Sequence, residues 1–169
     1  AGTSAGTQVN VQCNPPILGD LVINEVLGNA SGSSEDQEFI EIVNTSAQAV
    51  DMNGIRLIYD SNSGMNPDAV KSITFPAGCF AASSAVAIYN NRSPNPVFEW
   101  SSPNGDSNRL SLNHAKFPIT NSRDAAFTLT MASGQTLDSF MVNKSYMTAT
   151  YEDQSVNRNP DTIRDAEII

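Results

Sequence analysis

The chain has 169 residues, of which 40% are hydrophobic and 16% charged. That is enough for one domain with a real core, with or without tails, and it is the composition of a folded, weakly charged chain rather than a disordered one. The formal net charge is −9 and the pI about 4.3, and the nine basic residues are scattered with no two adjacent. Nucleic acid and anionic membranes need a basic stripe, so both are disfavoured as partners. No apolar run reaches the length that crosses a bilayer as a helix.

Residues 1–16 read as a flexible N-terminal tail: "AGTSAGT" is small and polar, and "NPP" stops regular structure. Residues 17–169 then form one domain. "LVINEVL" (Leu21 to Leu27) alternates and is rich in β-branched residues, which predicts a strand. A polar loop follows, and "EFIEIVN" (Glu38 to Asn44) is its expected antiparallel neighbour. "IRLIYD" (Ile55 to Asp60), "VKSITFPAG" (Val70 to Gly78) and "SAVAIYN" (Ser84 to Asn90) continue the series. The segment 91–122 holds the only Trp and the only His and reads as a long insertion with one or two short strands. "AAFTLTM" (Ala125 to Met131), the turn "SGQ" and "TLDSFMV" (Thr136 to Val142) make a hairpin. Helical periodicity with capping is missing throughout. About 7–9 short strands with regular turn signals predict an all-β fold, a β-sandwich with a barrel as the alternative.

The chain opens at Ala1 rather than at a methionine. This predicts a mature or trimmed form, which leaves room for an export signal removed beforehand. Cys13 and Cys79, in a Ser- and Asn-rich chain with no CxxC, predict one disulfide in an oxidising compartment; the alternative is two separate buried thiols. Such a bridge closes a loop of roughly 65 residues, worth about 4 kcal/mol in loop-closure entropy.

Few constellations carry chemistry. No Gly-x-Ser-x-Gly nucleophile elbow occurs, since "GTSAG" (Gly2 to Gly6) reads as tail with no strand before it and no helix after it; no phosphate-binding Gly loop occurs either, and His114 has no acid or nucleophile beside it in sequence. The loop "NASGSSEDQE" offers oxygens, with Glu35, Asp36 and Glu38 as the acidic metal candidates. Calcium takes six to eight oxygens, but the spacing misses the EF-hand pattern, so the bland reading is a solvated hairpin loop without metal. Glu25 and Glu41 lie mid-strand in neighbouring segments and could approach each other as a glycosidase pair. The aromatic content is only 7%, which argues against a sugar cleft; the competing reading is a structural role, accepting hydrogen bonds or pairing with a guanidinium. Arg158 is the expected guanidinium, paired with Glu25 or Glu41 and tying the C-terminal segment to the first hairpin. Trp100 is either an interface anchor or packing for the insertion.

Taken in order, these pieces resemble a family. "LVINEVLGNASGSSEDQEFIEIVNTSAQAVDMNGIRLIYD" resembles the opening of a lamin tail domain in its bacterial secreted form. The matching positions are Ile23, Asn24, Glu25 and Val26, then Glu38 through Ile42 with Asn44, then Val50, Asp51, Met52 and Gly54. "FPAGCFAASSAVAIYNN" is similar to the family's Pro-x-Gly turn and following strand. "FTLTMASGQTLDSFMV" is similar to its hairpin with an Asp after the second strand begins. The end of the pattern falls on Gln154, Ser155, Arg158, Pro160 and Asp161. The long 91–122 segment and the cysteine pair depart from the pattern.

The resemblance implies an immunoglobulin-like β-sandwich without catalytic machinery of its own. It implies a binding or structural module, secreted, periplasmic or on the cell surface, a lipoprotein included. Its partner would be a protein or a surface glycan, with no cofactor. The alternatives are a calcium-dependent adhesion or carbohydrate-binding module and, after it, a hydrolase. The chain has no heptads, so the filament-forming role of nuclear lamins does not carry over.

Overall fold

Short runs of β-branched and aromatic residues, punctuated by Gly, Pro and Asn, are suited to pairing edge to edge. A computed structural model shows them doing so in three sheets, and describes residues 13–28, 38–61, 70–91, 98–99, 108–113, 119, 123–146 and 154–158. The strands are β1 (Leu21–Leu27), β2 (Phe39–Asn44), β3 (Val50–Asp51), β4 (Arg56–Asp60), β5 (Val70–Thr74) and β6 (Cys79–Phe80). They continue with β7 (Ala85–Asn91), β8 (Phe98–Glu99), β9 (Asn108–Asn113), β10 (Ala125–Thr130), β11 (Thr136–Val142) and β12 (Val156–Asn157). Helix is confined, among the described residues, to one 3-10 turn over Lys144–Tyr146. The 7–9 strands expected from pattern match the eight of five residues or more; β3, β6, β8 and β12 have two residues each, too few to show a period.

One sheet has the order β12-β1-β2-β7-β9-β8, the second β11-β10-β4-β5, and β3 pairs with β6 alone. Strand neighbours run antiparallel except β7 and β9, which are parallel. A parallel pair requires a crossover connection. The residues between β7 and β9 supply it, and they include β8, which pairs back antiparallel onto β9. The long segment therefore extends the first sheet by two strands, and Ile119 from its end enters the core.

The two larger sheets share one core. Leu21, Ile23, Val26, Ile40, Ile42, Val86 and Ile88 come from the first, and Leu57, Tyr59, Phe127, Leu129, Leu137 and Val142 from the second. Tyr59 and Phe127 stack with ring centroids 5.1 Å apart. Burying each such side chain contributes about 1.5–3 kcal/mol. This is an immunoglobulin-like β-sandwich. Phe39 and Val43 are buried as well but stand outside that cluster, so β2, flanked by strands on both sides, is also covered on both faces.

The N-terminal arm is part of the fold. Cys13 and Cys79 are joined in a disulfide with their Cα atoms 5.5 Å apart. Asn14 forms a parallel bridge with Val50: its N–H donates to Ala49 O (2.9 Å) and its carbonyl accepts from Asp51 N–H (2.8 Å). Its side-chain amide also donates to Gln48 Oε1. Residues 13–16, grouped with the tail on composition, thus extend the β3–β6 pair, and Pro16 is buried.

Candidate functional site

Two strand irregularities build the feature that gathers the motif residues. In β1, strict alternation from Leu21 and Ile23 would drive Glu25 into the core. The register instead slips by one residue: Ile23 stands opposite Ile42, and Glu25 stands opposite Glu41. Asn24 is the extra residue of a β-bulge. The slip turns Glu25 to the outer face and brings Val26 inward. On the β12 side the paired residues are Glu25 and Val26, and Ile23 and Asn24 lie just beyond them, opposite the chain that leaves β12.

In β11 the same thing happens at Leu137, because Leu129 pairs with Asp138 and Thr130 with Thr136. Asp138 therefore shares the inward face with Leu129 and Phe127, on a strand at the edge of its sheet. An inward-pointing charge on an edge strand blocks further pairing, provided it has partners.

Arg158 joins the two irregularities. Its Nη2 donates to Asp138 Oδ2 at 2.6 Å, and the same oxygen accepts the Ile23 N–H at 2.7 Å. Nε of Arg158 donates to Ile23 O (3.0 Å), Nη2 also reaches Ser139 O (3.3 Å), and its backbone N–H donates to Asn24 O (2.8 Å). The guanidinium lies over the Phe140 ring, 5.3 Å from its centroid. One arginine thus donates to both carbonyls of the β1 bulge and pairs with the inward carboxylate of β11. It latches the two sheets together at the edge where β12 and β11 end them. The pair is largely buried, with side-chain exposures of 28% for Arg158 and 13% for Asp138.

The expected partners of Arg158, Glu25 or Glu41, are replaced by Asp138. The reason is parity. Glu25 pairs with Asn157 and Val26 with Val156, so Arg158, one residue past Asn157, falls on the inward side with Val156. Glu25 and Glu41 are on the other face. Glu41 Oε1 accepts from Asn24 Nδ2 at 2.9 Å, so the bulged amide serves the outer face while its backbone serves the latch.

A second polar knot lies at the end of β2. Asn44 is fully buried, and its Nδ2 donates to Gln48 O (2.9 Å), Phe80 O (3.0 Å) and Ala81 O (2.9 Å). Its Oδ1 accepts from Ser46 N–H (3.0 Å) and Ser46 Oγ (2.7 Å). One side chain therefore ties the turn after β2 to the β6 end. Sequence reading missed Asp138 and Asn44 as organising residues, although both stand at motif positions. The available signal was an Asp at an inward-parity position of "TLDSFMV" and an Asn closing an apolar strand.

Glu38 is buried at the start of β2, and among the described residues no group of three or more metal-type ligands gathers. Glu35, Asp36 and Trp100 lie outside the described residues.

The family model for the Lamin Tail Domain matches residues 15–144. The chain belongs to the lamin tail domain family. No curated protein matches it. Lamin tail domains are immunoglobulin-like binding and structural domains, and the sandwich agrees with that membership. The matched span includes Asn24, Asn44 and Asp138 but stops before Arg158, so the latch joins the family span to residues beyond it. Among the described residues, no helix is long and apolar enough to cross a membrane.

Proposed function

We propose that this lamin tail domain is a non-catalytic binding or presentation module of a secreted, periplasmic or surface-attached bacterial protein, a lipoprotein included, and that it works without a cofactor. The observation that carries the reading is the employment of its polar motif residues. Asp138, Arg158, Asn24 and Asn44 are engaged in holding strands and turns in place. The disulfide supports an oxidising compartment. The partner class that fits is a protein or a surface glycan. Nucleic acid is disfavoured by the net charge of −9.

A broad hydrolase screen tests the reading. The expected result is no turnover; turnover abolished by Glu25→Gln or Glu41→Gln would overturn it. Thermal unfolding with calcium and with chelator tests the cofactor statement, and the expected curves superimpose. A calcium-dependent rise in Tm would move the reading to an ion-dependent adhesion module.

A further inference from the structure

The arginine latch has the construction of a peptide-binding site. Its receptor half is built without residues 154–158. Asp138 Oδ2 already accepts the Ile23 N–H, which fixes the carboxylate between β1 and β11. Ile23 O, Asn24 O, Ser139 O and the Phe140 ring complete the walls. The ligand half is an extended segment that adds a strand to the β1 edge. It places Val156 beside Val26 and seats Arg158, two residues on, in the acidic socket. This is strand addition with one charged anchor, the mode in which main-chain bonds give affinity and one pocket gives selectivity.

The ligand strand is only two residues long. A segment that short is marginal without its anchor. It also lies on the surface, with Gln154 and Asn157 exposed. Charge complementarity names what fits the socket: a carboxylate with a ring beside it accepts an arginine, and the described chain presents one in the sequence "SVNR" (Ser155 to Arg158).

We infer that the socket is exchangeable, and that its second occupant is the 154–158 segment of another copy of this chain, so that neighbouring domains link reciprocally by swapping this strand. In isolation the chain's own segment is present at an effective concentration of order millimolar and wins. Where copies are crowded, as on a surface, exchange becomes competitive. The inference goes beyond the module reading. The hydrolase screen and the experiment below can fail independently, since loss of exchange leaves a module with some other partner.

Charge reversal tests it with the full chain. Asp138→Arg places two arginines at the latch of one variant, and Arg158→Asp places two carboxylates at the latch of the other, so neither can close on itself. Mixed, the native Arg158 of the first can reach the native Asp138 of the second, and the two reversed residues complement in return. The expected result is that each variant alone stays monomeric by light scattering. The equimolar mixture then forms a 1:1 dimer at least about tenfold more tightly than either self-associates, a margin set by one good charged contact. The double variant in one chain should return to monomer. A mixture that remains monomeric while both variants keep a cooperative unfolding transition overturns the inference. Should either variant fail to fold, a synthetic peptide of residues 154–159 is titrated onto Arg158→Ala. Saturable binding lost when alanine replaces the peptide arginine supports exchange; no binding overturns it.

Discussion

Arg158 illustrates how much a single side chain can hold when its donors are fixed in a fork. It makes two side-chain bonds to carbonyls and one to a carboxylate, and the acceptors lie on β1 in one sheet and β11 in the other. Arg158→Ala removes them together and leaves Asp138 charged, mostly buried and bonded only by Ile23 N–H. Truncating one side of a buried pair costs about 3–5 kcal/mol, and the residual exposure of Arg158 reduces this to about 2–4 kcal/mol. Urea unfolding should show that loss. Arg158→Lys should recover less than half of it, because an ammonium cannot reach Ile23 O and Asp138 in the same planar geometry. Full recovery by lysine would mean that charge alone matters. Asn44 gives a second case. Its Nδ2 faces three carbonyls, so Asn44→Asp puts a carboxylate against them and should destabilise more than Asn44→Ala. The alanine change itself should cost about 1–3 kcal/mol, the range for a buried group left without its bond. Equal losses for the two variants in the same urea series would contradict this account.

At the scale of elements, the chain's pattern was legible wherever burial followed a simple period. "LVINEVL" and "TLDSFMV" are β1 and β11 to the residue, and "EFIEIVN" is β2 with one extra residue at its start. The bulges were not legible, because a bulge is one residue of slippage that the apolar pattern absorbs. Leu21, Ile23 and Val26 look like a slightly irregular strand until pairing shows that Asn24 is extra. The partner of Arg158 followed from that slip and so was misread with it. The two-residue strands were equally hidden, including the bridge that brings residues 13–16 into the fold. The arm carries its own prediction. The disulfide spans a sequence separation of 66, so replacing both cysteines (Cys13→Ser with Cys79→Ser) should lower stability by about 4 kcal/mol. The hydrogen bonds of Asn14 to Ala49 and Asp51 remain available. A loss below about 1 kcal/mol in matched urea curves would show that this backbone pairing holds the arm without the bridge, since such bonds are worth about 1 kcal/mol each.

For the whole molecule, the arrangement sets which parts open first. β2 has strands on both sides and is buried on both faces, and β10 is flanked by β11 and β4, so their amides should exchange only on global unfolding. β5 ends its sheet and is mostly exposed, which places it near the other extreme. β12 lies between. It is a two-residue edge, yet it is held through the latch to two sheets at once. If the latch closes the sandwich edge as an independent cooperative unit, Arg158→Ala should remove hydrogen-exchange protection at Val156, at position 158 and at Ile23, whose amides face β1 or Asp138. The amides of β2, β4 and β10 should then fall only by the global loss of stability. If instead the latch is one more contact in a single cooperative core, all protected amides should fall by the same amount, and β12 should lose no more than β2. Native-state hydrogen exchange on the disulfide-bonded chain separates the two outcomes. The first is expected, because the acceptors that Arg158 serves lie at sheet edges, whereas the apolar cluster joining Leu21, Ile42, Phe127 and Leu129 does not depend on it.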